Sequence, residues 1–72
     1  MAITLYTIGD CPLCAALRRE LDARGDRYNL VDLSESPQAV AELLKLTGGK
    51  RIVPVLVDGV TIKIAPDGAT EF

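Results

Sequence analysis

The chain has 72 residues, 49% of them hydrophobic, and a net charge of −2 from interspersed acids and bases. One domain, residues 1–72, is the count expected at this length. No basic stripe marks a nucleic-acid face, the scattered Tyr6, Tyr28 and Phe72 offer no base-stacking platform, and no apolar run approaches the roughly 18 residues of a membrane span.

Residues 2–8, AITLYTI, read as a strand, because β-branched and aromatic residues follow one another without a breaker. They carry no basic lead-in of a secretory signal, so a cytoplasmic protein is expected. Gly9-Asp10 is a turn signal, and Cys11-Pro12 opens a helix, since proline suits the first helical position. Leu13, Leu17 and Leu21 recur every fourth residue as an apolar stripe, and Gly25 is the natural stop. Residues 27–33 read as the second strand. Ser36-Pro37 signals a second helix, with a capping hydroxyl followed by proline. Val40, Leu43, Leu44 and Thr47 mark its inner face, and Gly48-Gly49 ends it.

Residues 51–57, RIVPVLV, form a third strand interrupted by Pro54. Asp58-Gly59 is a hairpin turn, and residues 60–64, VTIKI, are the fourth strand. The order βαβαββ predicts an α/β fold with a parallel first pair and an antiparallel last pair. Pro54 is the anomaly, because proline removes a ladder donor and does not belong inside a central strand. It is tolerable at a strand start after a cis peptide, or as an ordinary trans proline at an edge.

Cys11 and Cys14 are the only cysteines. In a reducing compartment, a close pair is more often catalytic or metal-binding than a static staple. Three uses stay open: redox exchange, half of a zinc or iron–sulfur site completed by a second chain, and inert packing. Zinc normally takes four ligands, and the chain offers two thiols and no histidine. The lack of histidine also removes Cys–His hydrolase chemistry.

C-P-x-C at the first strand-to-helix junction, the βαβαββ order and Val53-Pro54 together resemble the glutaredoxin branch of the thioredoxin fold. The resemblance covers almost the whole chain. It implies a cis Val53–Pro54 bond and a proline packed against the active-site sulfurs. It also implies thiol–disulfide exchange with no bound cofactor and with glutathione as co-substrate. Residues 23–62, with their G-G-x-R-x-V-P-V stretch at Gly48–Val55, resemble the short UXX-star (seleno)protein family. That family often has selenocysteine at the position of Cys11.

The thiolate is the nucleophile, and the unpaired N–H groups of a helix N-terminus favour it. Cys11 is therefore the expected attacker, and Cys14, one turn along and deeper, the resolving thiol. Pro12 stiffens the turn. Asp10 opposes a second negative charge beside it, and Lys50 and Arg51 can offset that if they lie across the site. Pro12, Leu13, Arg51, Val53, Pro54 and Asp67 are the candidate substrate-binding residues. Val53 offers its backbone to a peptide-like substrate as a strand edge. Lys50-Arg51 reads equally as a solvated basic turn.

Several departures from glutaredoxins stand out. Their lysine three residues before the first cysteine is Ile8 here, and their T-V-P is Ile52-Val53-Pro54. Their Gly-Gly and aspartate after the fourth strand correspond to Ile64-Ala65-Pro66-Asp67-Gly68. The Ala-Pro-Asp part is similar to redoxins that draw electrons from thioredoxin reductase, without their Trp-Ser-Gly-Phe lead-in. Glutaredoxins also place a third helix on the sheet face of the first. Only residues 65–72 follow the fourth strand here, so that helix is expected to be missing. A bare apolar half-face is expected in its place, covered by a homodimer partner or a target protein.

Overall fold

The computed structural model describes residues 3–65 and 68–72. Strand β1 (Ile3–Thr7) leads to helix α1 (Pro12–Ala23), then β2 (Tyr28–Asp32). A 3-10 turn (Pro37–Ala39) precedes α2 (Val40–Thr47). Four short strands follow: β3 (Ile52–Val53), β4 (Val55–Asp58), β5 (Thr61–Ile64) and β6 (Thr70–Glu71). The main sheet is mixed, in the order β2-β1-β4-β5, with β1 parallel to β2 and the other pairs antiparallel. This is the four-stranded α/β architecture that the sequence implies, with two helices and no third helix among the described residues.

Alternation along β1 assigns the two faces. Leu5 packs with Leu17 and Leu21 of α1 and with Leu56. Tyr6 belongs to a second cluster, with Leu33, Leu43, Val53, Val55 and both cysteines, beside α2. The α1 stripe is buried at Leu17 and Leu21. Leu13, at its first turn, is half-buried and packs against the second cluster instead. Helix α2 ends at Gly48, whose φ of +72° is the left-handed cap that glycine adopts without a Cβ penalty.

Three expectations need correction. The second helix does not start on a Ser36 cap. Ser36 makes no capping bond through its side chain, and Pro37–Ala39 is a 3-10 turn ahead of the α-helix. The third strand is not one strand of the sheet. Pro54 has no N–H to give, Val53–Pro54 is cis, and the chain divides there. Val55–Asp58 stay in the main sheet, while Ile52–Val53 pair antiparallel with Thr70–Glu71 in a sheet of their own.

The third correction concerns the bare face. Ladder partners share a face, so Lys63 and Thr61, opposite Leu56 and Asp58, lie on the α1 side of β5. The exposed isoleucines Ile62 and Ile64 pair with Val57 and Val55, on the α2 side. The half-face that a third helix would cover is therefore polar at this edge. The exposed apolar strip lies on the opposite side.

Candidate active site

Cys11 is the N-cap residue of α1, with extended backbone angles, and Pro12 follows at the first helical position. That geometry aims the Cys11 sulfur at the helix's unpaired N–H groups. Cys14 N–H donates to Cys11 Sγ at 3.1 Å. The two sulfurs are joined in a disulfide, with Cα atoms 5.2 Å apart. Both cysteines are buried, Cys14 at 2% exposure and Cys11 at 6%. Cys14 is the deeper of the two, as the spacing implies, and Cys11 is itself nearly covered.

Part of that covering is Thr70, which lies on β6. Its Oγ1 is 3.5 Å from Cys11 Sγ. A disulfide sulfur carries no proton, so the hydroxyl is the donor in this contact. Gly68 approaches Leu13 closely, and a Cβ there would come within 3.3 Å of Leu13 Cδ1. Its φ of +127° is also a conformation that favours glycine.

The other predicted site residues fall into two groups. Val53 and Pro54 are buried beside the cysteine cluster, and Val53 belongs to it. Arg51 is exposed, with its guanidinium 4.8 Å from the centre of the Phe72 ring. Asp10 and Arg51 both line an open groove of about 600 Å³, whose apolar wall includes Ile8, Leu33, Val40 and Phe72. No ion pair joins Asp10 and Arg51 among the described residues. Lys50 is exposed and lines a neighbouring depression. Asp67, the remaining candidate, lies outside the described residues.

The loop ahead of Val53 is fixed from below by Thr47. Its hydroxyl donates to Lys50 O at 2.6 Å and accepts from Lys50 N–H at 3.0 Å. The disulfide itself borders a smaller cleft of about 150 Å³, lined by Ile8, Ala15, Arg18 and Asp32. Ser34 donates to the Asp32 carboxylate through its hydroxyl and, at 3.0 Å, its N–H, which holds that carboxyl below its ordinary pKa. Arg18 and Asp32 thus set opposite charges beside the sulfurs. Among the described residues there is no cluster of three or more side chains suited to hold a metal.

Sequence reasoning missed Thr70, Thr47 and the apolar groove. Thr47 was legible only as an inner-face residue. Thr70 belongs to no periodic pattern, and its position depends on a two-residue pairing with β3.

Two cysteines that close into a disulfide at a helix N-terminus can accept and return an electron pair by exchange with other disulfides. With the mixed sheet behind them, they make this chain a thiol–disulfide oxidoreductase of the thioredoxin fold. It belongs to the glutaredoxin family, whose family model, described as Glutaredoxin, matches residues 3–62. Glutaredoxin-like protein NrdH of Escherichia coli (strain K12) is 36% identical over 59 residues, covering 82% of this chain and 70% of that protein. Mycoredoxin 1 of Corynebacterium glutamicum is 33% identical over 54 residues, covering 75% and 66%. The solved structure of Escherichia coli NrdH-redoxin, described for its thioredoxin-like activity profile, superimposes with a TM-score of 0.75 at 34% identity. It covers 89% of this chain and 82% of that one.

Proposed function

We propose that the protein reduces protein disulfides and mixed disulfides between glutathione and protein thiols, with Cys11 attacking and Cys14 resolving. The Cys11 thiolate bonds to one substrate sulfur, and the other substrate sulfur leaves as a thiolate. Cys14 then attacks Cys11 Sγ, the second substrate thiolate leaves, and the Cys11–Cys14 disulfide takes the place of the substrate's. Two electrons from a donor reopen it. The observation that carries the assignment is the 3.1 Å bond from Cys14 N–H to Cys11 Sγ. A donor so placed favours negative charge on Cys11, and Cys14 waits deeper in the core.

Substrate docks on the backbone edge at Val53, with Pro12, Leu13 and Pro54 shaping its seat and Arg51 and Asp67 anchoring it. Glutathione is the co-substrate in this reading, although Ile8 and Ala65 replace its usual contacts. The thioredoxin-like activity profile described for the Escherichia coli relative supports the other donor, a thioredoxin reductase. The test is NADPH oxidation driven by a small mixed disulfide, with glutathione and glutathione reductase in one arm and thioredoxin reductase in the other. Cys11→Ser abolishes turnover in both arms. Cys14→Ser traps a mixed disulfide or keeps activity on glutathionylated substrates alone. Full activity of Cys11→Ser would overturn the assignment.

The G-G-x-R-x-V-P-V stretch at Gly48–Val55 supports a kinship with the UXX-star (seleno)protein family. The setting we infer is the cytoplasm, where thiols are kept reduced. No helix among the described residues is long and apolar enough to cross a membrane. The exposed strip of Ile62 and Ile64 is the surface that a second copy would cover in a homodimer. Sedimentation equilibrium tests this, and a concentration-independent monomer would count against it.

A further inference from the structure

The edge assigned above to substrate is already occupied. Ile52 and Val53 pair antiparallel with Glu71 and Thr70, and Phe72 N–H donates to Arg51 O at 3.2 Å. Segment 68–72 therefore lies along Val53 as an added strand, the placement that edge offers to an extended peptide. Thr70 sets its side chain against Cys11 Sγ, at 3.5 Å. Two residues further on, the Phe72 ring lies beneath the Arg51 guanidinium and helps to line the apolar groove together with Ile8, Leu33 and Val40. Cys11, which must meet substrate, is left 6% exposed.

We propose that segment 68–72 is an internal mimic of the substrate, and that it specifies what the substrate is. This rests on the role of Cys11 and Val53 given above. The substrate is an extended polypeptide segment running antiparallel to Ile52–Val53. Its reacting cysteine takes the place of Thr70, and a large apolar residue, best an aromatic one, stands two positions after that cysteine. Threonine Oγ1 and cysteine Sγ are both bonded directly to Cβ. A cysteine at this position thus presents its sulfur where Oγ1 now sits, in the contact range from which reacting atoms proceed. A ladder only two residues long is weakly held, so a longer substrate strand can displace it. The segment competes with substrate and shields Cys11 between encounters.

The test uses the full chain in a Cys14→Ser background and compares Thr70→Cys with Ala69→Cys, whose position is exposed. Glutathione disulfide is the oxidant. The Cys11 thiolate bonds to one of its sulfurs and releases one glutathione thiolate. The thiolate introduced at position 70 then attacks Cys11 Sγ, closes a disulfide between positions 11 and 70, and releases the second. Mass spectrometry with peptide mapping follows the loss of the adduct. Closure at least about tenfold faster from position 70 than from position 69 supports the mimic. Equal rates, or an adduct on Cys11 that never closes with position 70, sink it and leave the role of Cys11 standing. No adduct on Cys11 at all removes the role of Cys11, and the mimic with it. A second variant keeps both native cysteines. With reduced protein, Phe72→Ala should speed iodoacetamide labelling of Cys11 several-fold, and an unchanged rate would overturn the shielding.

Discussion

Leu21 and Leu43 are both fully buried and lie on opposite faces of one sheet. Around Leu21 the neighbours are Leu5, Leu17 and Leu56, with Ile3 and Tyr28 at the margin. Neither cysteine belongs to that cluster. Around Leu43 the cluster includes both cysteines, Val53 and Tyr6, and it continues outward to Val40 and Phe72 in the open groove. One face is closed packing. The other is packing that runs without a break into the chemistry, so any loosening there reaches the sulfurs and the substrate edge.

Matched substitutions would break this contrast if it is wrong. Leu21→Ala and Leu43→Ala remove the same atoms from equally buried sites, and each should cost about 2–5 kcal/mol. In a domain this small that is a large share of the total stability. Urea midpoints should fall by similar amounts. The exchange rate per folded molecule, taken well below either transition, should hold for Leu21→Ala and drop for Leu43→Ala. Equal loss of activity would mean that the two faces are mechanically one.

Thr47→Val sharpens the contrast at lower cost. The side chain keeps its volume and loses both bonds to Lys50, at about 1 kcal/mol each. Those bonds hold the start of the Lys50–Val53 stretch, so KM for a peptide disulfide should rise more than kcat falls. A variant that lowers kcat alone would place Thr47's influence on the sulfurs and not on the substrate edge.

Much of this was legible because it is local and periodic. The β1 alternation, the Leu17–Leu21 spacing, Cys11-Pro12 at a helix start and Asp58-Gly59 at a hairpin each depend on near neighbours. Val53-Pro54 was legible only through family likeness, since the residues alone left cis and trans both open. The β3–β6 pairing was not legible. It joins Ile52–Val53 to Thr70–Glu71, two residues on each side, too short for any pattern to show. Ser36 misled because a serine before proline suits an α-helix start and a 3-10 turn equally well. The half-face expected to be bare and apolar is polar at β5, because which residues of VTIKI share the α1 side depends on register with β4, which their alternation does not give.

The smallest effect to test concerns Tyr6, which ties the sheet to α2 on the face that holds the sulfurs. Its hydroxyl donates to Glu42 Oε2 at 3.4 Å. Burial, and then the Glu42 carboxylate, raise its pKa above the ordinary 10.0. The folded state therefore favours the neutral phenol more than the unfolded state does. Its contribution to stability is fully present below the unfolded value near 10.0 and is lost as pH rises through the raised folded value. Thermal midpoints of the wild type and of Tyr6→Phe, followed from neutral pH into alkali, isolate this contribution, because every other titrating group is common to both. The wild type should lose stability more steeply above about pH 10, while Tyr6→Phe should be only slightly less stable at neutral pH, having lost one long hydrogen bond. Parallel curves would mean that the phenol is hydrated, and that the α2 face is open to water at Tyr6 as well as at the groove.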